Sequence, residues 1–258
     1  MVLCSLVLPF SALAATADEI NTDHAAEGWF TVEHKTDLGV KMKVCVVFKG
    51  EKTYYNYTPG TVGTFSFTKG PGDYTVSLYR NVSGSSYRKI ATKTVSVKEI
   101  DPLAQYKVST TEITFSETDS VGMKAAELCS ELKAADAKVV AIYNYIASDF
   151  EYDYDFAAKV NAGGGTNYVP DTNAILEAKK GVCYDISALF AAMCRSQGVA
   201  ARIDRGYYNG QYHAWNSVYV GGAWVSVDVT ADVCHTVFEA VESIDDVVIP
   251  AAEYVKQA

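Results

Sequence analysis

Cys183 opens a segment with helical grammar, Lys179-Lys-Gly-Val-Cys183-Tyr-Asp-Ile-Ser-Ala-Leu-Phe-Ala-Ala-Met-Cys-Arg-Ser-Gln-Gly198. Gly181 starts it and Gly198 ends it, as a glycine beyond a helix C-cap does. Ile186, Ala188, Leu189, Phe190, Ala191, Ala192 and Met193 leave almost no polar face, so the spacing predicts a central, buried helix. Cys183 then falls in the first turn, where unsatisfied N–H groups and the helix dipole favour a thiolate. A thiolate can attack a carbonyl carbon, and neighbouring backbone N–H groups can hold the resulting oxyanion. Cys194 lies on nearly the same face, about 16 Å further along the axis, and reads as core.

A base and an acid follow on a predicted β-ribbon. Tyr208-Asn209-Gly210-Gln211 and Val220-Gly221-Gly222-Ala223 are two-residue hairpin signals, which imply antiparallel strands near 200–208, 211–220 and 223–230. Counting outward from Gly221-Gly222 pairs Tyr219 with Trp224, Ser217 with Ser226, and Trp215 with Asp228. One face then carries His213, Trp215, Ser217, Tyr219, Trp224, Ser226 and Asp228. The other carries Ala214, Asn216, Val218, Val220, Ala223, Val225, Val227 and Val229, a nearly clean separation that supports the register. Asp228 becomes the diagonal neighbour of His213, about 7–8 Å away and within reach of the imidazole. The first hairpin sets Gly206 opposite His213, leaving room beside the ring. It also sets Asp204 opposite Trp215, a second carboxylate diagonal to His213. Geometry alone offers two orienting acids for one nucleophile–base pair.

These residues carry a resemblance. Gly181-Val-Cys183-Tyr-Asp-Ile-Ser-Ala-Leu, Gly198-Val-Ala-Ala-Arg202, Gly206-Tyr207, His213-Ala-Trp-Asn216 with Val218-Tyr219-Val220, and Trp224 to Asp228-Val-Thr230 resemble the core of the bacterial transglutaminase-like superfamily. The likeness is strong over 180–230. Tyr152-Asp153 and Tyr168-Val-Pro170-Asp171 extend it more weakly upstream. It implies Cys183 as nucleophile, His213 as base and Asp228, rather than Asp204, as orienting acid. It also implies a papain-related α+β fold, in which a central helix presents the cysteine against an antiparallel sheet. Trp215 and Trp224 are expected to wall the acyl site or pack under it, and Tyr168 and Tyr184 to touch substrate. No zinc spacing occurs, and Asp153 with Asp155 reads as a solvated loop, so no metal or cofactor is expected.

The elements upstream differ in grammar. The expected division is a signal peptide over 1–14, a β-domain over 27–98, a linker over 99–112 and the catalytic domain over 113–258. From Trp29 to about Val97 the chain alternates every two residues, with Val40, Met42, Val44, Val46 and Phe48 on one face. Turn signals at Pro59-Gly60, Gly70-Pro71-Gly72 and Ser83-Gly84-Ser85 point to a small β-sandwich of immunoglobulin-like type. Trp29, Phe30, Tyr54, Tyr55 and Tyr57 could form a carbohydrate-stacking face, but aromatic residues in strands more often fill sheet cores and cross-strand pairs. Asp101-Pro102 breaks the pattern. Asp119 is placed to cap a helix running to about Ala134, and Asp136 a second through Val139, Val140, Ile142, Tyr143, Ile146 and Phe150. Residues 151–172 read as a loop rich in Tyr, Asp and Gly.

The chain has 258 residues with a net charge of −9, which excludes the basic footprint that a nucleic acid or an anionic membrane surface needs. The apolar run Met1 to Ala15, with Ala12-Leu13-Ala14 as a cleavage site, reads as a signal peptide, although no Lys or Arg precedes it. A secreted or cell-surface protein with no integral membrane segment after processing is expected. Removal of that run leaves Cys45, Cys129, Cys183, Cys194 and Cys234, an odd number that leaves at least one thiol unpaired. The expected chemistry is acyl transfer on a peptide or carboxamide, a cell-wall peptide among the candidates. Hydrolysis is favoured over transfer to a lysine amine, and the rival of another class is a non-catalytic adhesion or wall-binding protein.

Overall fold

The alternating stretch folds into strands because every second side chain can be buried while its neighbours stay in water. The computed structural model describes residues 19–98, 101–164, 167–235, 238–249 and 254–256; the expected signal peptide lies outside them. The first strands are β1 (Glu19–Asn21), β2 (Trp29–Glu33), β3 (Met42–Phe48), β4 (Glu51–Tyr57), β5 (Val62–Ser66), β6 (Gly72–Ser83) and β7 (Ser86–Val97). They form two antiparallel sheets, β1-β2-β5 and β4-β3-β6-β7. Phe30, Val32 and Phe65 of the first sheet share one core with Val44, Val46, Tyr74 and Val76 of the second. The β3–β4 turn takes positive φ at both Lys49 (49°) and Gly50 (86°), which matches the twist of a two-residue hairpin. The aromatic residues of this half do not make one face. Phe30 and Tyr57 are core, and Trp29 stacks on His24 at 3.7 Å.

The connector is packed rather than plain. Gln105 is buried, the Thr111 N–H donates to the Thr64 carbonyl at 2.9 Å, and the Thr64 N–H donates to Thr111 Oγ1 at 2.9 Å.

The second half comprises α1 (Ser120–Cys129), α2 (Ala135–Asp149), β8 (Glu151–Tyr152), α3 (Tyr154–Lys159), α4 (Thr172–Ala178), β9 (Lys180–Gly181), α5 (Cys183–Ser196), β10 (Ala201–Tyr208), β11 (Gln211–Val220), β12 (Ala223–Val227), α6 (Val229–Val233) and β13 (Tyr254–Lys256). Asp119 caps α1 by accepting from the Gly122 N–H at 2.8 Å, and α1 stops at Cys129, short of the expected Ala134. Asp136 sits inside the first turn of α2, whose N-cap is Ala134. The expected 151–172 loop holds β8 and α3. Its aspartates are caps: Asp153 accepts from the Phe156 N–H at 2.9 Å, and Asp171 caps α4 by accepting from the Ala174 N–H at 3.1 Å.

α5 is the buried axis. Ile186, Leu189, Phe190 and Met193 are wholly inaccessible, enclosed by α1, α2, α4 and the sheet β12-β11-β10-β13. Ser187 Oγ donates to the Ala214 carbonyl at 3.1 Å, and Asn216 Nδ2 donates to the Ser187 carbonyl at 3.0 Å, fixing the helix on β11. The result is a mixed helix and sheet protein. Among the described residues no helix is long and apolar enough to cross a membrane.

Because Phe190 is packed on all sides, Phe190→Ala should cost about 3–5 kcal/mol of folding stability. Denaturant unfolding followed by circular dichroism measures it, and a loss under about 1 kcal/mol would refute the central position of α5.

Candidate active site

α5 delivers Cys183 as its first residue. Asp185 holds that helix start, accepting from the Val182 N–H at 3.0 Å with one oxygen and from the Tyr168 hydroxyl at 2.7 Å with the other. Burial pushes the Asp185 carboxyl up, partly offset by those two donors.

The ribbon pairs as its turns require. Gly206 faces His213 and Asp204 faces Trp215 across β10–β11, while Ser217 faces Ser226 and Tyr219 faces Trp224 across β11–β12. β12 ends at Val227, earlier than expected, because Asp228 accepts from the Thr230 N–H at 3.1 Å and turns the chain into α6. His213 Nε2 meets Asp228 Oδ2 at 2.7 Å. Cys183 is close enough to the same ring to raise its pKa, and Nδ1 is the ring nitrogen that Asp228 leaves free. Tyr254, on β13, donates its hydroxyl to the same Asp228 oxygen at 2.9 Å. Burial pulls the imidazole pKa down, but Asp228 and Cys183 outweigh it and raise it to about 9.

Asp204 is engaged elsewhere. It accepts from the Ser217 hydroxyl and from Lys256 Nζ at 2.7 Å, and lies 3.3 Å from Arg202 Nε. The space at Gly206 does not serve the imidazole: a Cβ there would come within 2.0 Å of the Val255 carbonyl, so the glycine admits the backbone of β13. Trp215 is wholly buried, with its ring nearly parallel to that of His213 and 6.2 Å from it. Trp224 lies outside the cleft, under the Arg202 guanidinium at 4.6 Å and against Tyr106 at 4.9 Å.

Tyr168 and Tyr184 do line a cleft of about 1130 Å³ that Cys183 and His213 share. Tyr184 donates to Glu112 Oε1 at 2.7 Å, and Arg205 Nη2 reaches the same oxygen at 2.9 Å. Sequence reasoning misses Glu112, Arg205, Tyr254, Asp185 and Tyr152. The last is paired with Gly181 across β8–β9, and its hydroxyl accepts from the Cys183 backbone N–H. Tyr152-Asp153 is the available signal for it.

All five described cysteines are free. Burial pushes the thiols of Cys45, Cys129, Cys194 and Cys234 up, whereas Cys183 stands at a helix start beside the His213 ring. Iodoacetamide at about pH 6 should therefore modify Cys183 well before the other four, as mass spectrometry can read; equal rates for Cys183 and Cys234 would refute an activated thiol. The His213 shift has a definite sign. Its ionic form stabilises the fold fully below the ordinary pKa of about 6.5 and loses that contribution as pH rises through about 9. An NMR titration should find the His213 midpoint near 9, and a midpoint near 6.5 would refute the contact with Asp228.

Comparison with known proteins bears on the same region. Residues 123–229 match the Transglut_core family, described as the transglutaminase-like superfamily. The chain is 31% identical over 117 residues to the kyphoscoliosis peptidase of Mus musculus, and likewise to that of Homo sapiens, covering 41% of this chain and 17% of each relative. It thus spans 17% of the length of those curated relatives. The crystal structure of a candidate cysteine protease from Cytophaga hutchinsonii is similar, with 17% identity, a TM-score of 0.45, and coverage of 87% of this chain and 72% of that one. Residues 123–229, which carry Cys183, His213 and Asp228, are thus similar to the transglutaminase-like superfamily.

Proposed function

We propose that this protein is a cysteine-nucleophile enzyme that cleaves a peptide or carboxamide bond by acyl transfer to water, with Cys183, His213 and Asp228 as its triad. The observation that carries the reading is the 2.7 Å contact of His213 Nε2 with Asp228, in a ring that shares one cleft with Cys183 at a helix start. The Cys183 sulfur attacks the carbonyl carbon, and the C=O π electrons move to oxygen. The Cys183 N–H, held by the Tyr152 hydroxyl in the free protein, is positioned to receive that oxyanion. Protonated His213 gives its proton to the leaving amine as the C–N bond breaks, leaving a thioester. His213 then takes a proton from water, the oxygen attacks the thioester, and the sulfur departs. The two curated relatives, both named peptidases, support water as the acceptor.

Two further parts of the reading have their own support. An extracellular site of action rests on the apolar run ending at Ala12-Leu13-Ala14. An immunoglobulin-like first half rests on a three-stranded sheet facing a four-stranded one, both antiparallel.

Incubating the protein with β-casein, with and without a fluorescent primary amine, tests the activity by scoring chain cleavage, ammonia release and amine incorporation together. Cleavage or ammonia release without incorporation is expected. Incorporation would reassign the acceptor to an amine, and silence in all three would favour an adhesion protein. Asp228→Ala should lower turnover by about two to four orders of magnitude, as loss of the acid does in serine triads, while Asp228→Asn keeps a hydrogen-bonding group beside the ring. Asp204→Ala should cost far less, with folding of each variant checked by circular dichroism. The reverse order would overturn the choice of acid.

A further inference from the structure

The cleft beside Cys183 has a second wall that belongs to the other half of the chain: it is lined by Glu51 to Asn56, nearly all of β4. β4 is an edge strand, since its sheet runs β4-β3-β6-β7. Counting from the Lys49-Gly50 turn, the pairs Phe48–Glu51, Val46–Thr53 and Val44–Tyr55 are the hydrogen-bonded ones. Lys52, Tyr54 and Asn56 therefore turn both their N–H and C=O groups away from β3. Among the described residues nothing pairs with those groups.

The catalytic half reaches around this edge on both faces. Asn56 Nδ2 donates to the Tyr168 carbonyl at 3.2 Å on the outer face. On the inner face Tyr55 packs against Phe65, with Glu112 and Arg205 near its hydroxyl. The free edge points between them, into the space that holds the thiol. Its Asn56 end is the catalytic end, because the Tyr168 ring lies 6.4 Å from that of Tyr184, the residue after Cys183. From there β4 runs outward for about 17 Å, the length of five extended residues.

We propose that β4 binds the polypeptide substrate in extended form, as an added strand hydrogen-bonded to Lys52, Tyr54 and Asn56, and feeds it to Cys183. The substrate class is then an unfolded or extended protein segment rather than a small amide. Backbone pairing supplies affinity that is nearly independent of sequence, and the pockets beside alternate side chains supply selectivity. The occupant is argued from continuity: a strand added here lies in the same cleft as the groups that would act on it. This inference rests on the acyl-transfer reading of Cys183.

The test uses the full chain as Cys183→Ala, which should hold substrate without consuming it, and β-casein as an unfolded probe. Hydrogen exchange is read residue by residue by mass spectrometry. Saturating β-casein should slow exchange at the Lys52, Tyr54 and Asn56 amides at least tenfold, while Thr53 and Tyr55, already bonded to β3, change little. In the active protein Tyr54→Pro removes one outward N–H without touching the β3 ladder. It should raise KM for β-casein about tenfold and leave kcat within about twofold. Casein turnover by the wild type with unchanged exchange at those three amides would overturn this inference alone. Absence of turnover would overturn the acyl-transfer reading and this inference with it. Protection that rises with protein concentration and needs no casein would reassign the edge to self-pairing and overturn the proposal.

Discussion

Asp228 is almost fully buried, and a carboxylate out of water is tolerated only where donors surround it. Three donors come from three directions. The Thr230 N–H comes from the turn into α6, the His213 ring from β11, and the Tyr254 hydroxyl from β13. None of these segments can shift without stranding the charge. β13 in turn needs Gly206, because any side chain there would collide with its backbone. The histidine is fixed beside Cys183 because the carboxylate needs it, and the same demand sets where β12 stops and where β13 docks.

A similar demand ties the two halves together. Glu112 stands on the connector and takes hydrogen bonds from Tyr184 and Arg205, one next to Cys183 in the chain and one on β10. Thr111, its neighbour, is bonded twice to Thr64 on β5. A displacement of the β-half would therefore act on Tyr184 through one residue of backbone. Arg195, buried on α5, donates to the Val108 carbonyl at 2.8 Å and secures the same segment from the helix side. The connector is a structural part of the cleft, which its Asp101-Pro102 breaker conceals.

What is legible in the sequence is local. The α5 pattern is self-contained, and the ribbon register follows from two turns of fixed length, so spacing alone places Cys183 at a helix start and His213 beside two carboxylates. Tyr254 is not legible in this way, because three residues of strand carry no period and their pairing with β10 joins distant parts of the chain. Asp204 and Asp228 look equivalent in sequence because diagonal distance ignores competing partners. Lys256 and Ser217, which claim Asp204, are visible only in three dimensions. The 151–172 stretch reads as loop for a different reason: its aspartates suit turns and helix caps equally.

The treatment of the sheet edges gives the open side of β4 its weight. An exposed edge strand invites pairing with other chains, and proteins blunt it by charge, shortness, irregularity or cover. Four other edges are blunted in those ways. β1 is three residues long and gives its Ile20 carbonyl to Lys93 at 3.0 Å. β7 carries Arg88, Lys89 and Lys93 and is broken by register shifts against β6. β5 is covered by Thr111, and the Ser226 carbonyl on β12 accepts from the Ile249 N–H at 3.0 Å. β4 keeps a seven-residue edge with Tyr54 half exposed, beside the cleft that holds the thiol. Asn56 at the end of that edge is bonded to the Tyr168 carbonyl of the second half, so a segment that paired with β4 would lie along the cleft that Cys183 and His213 share.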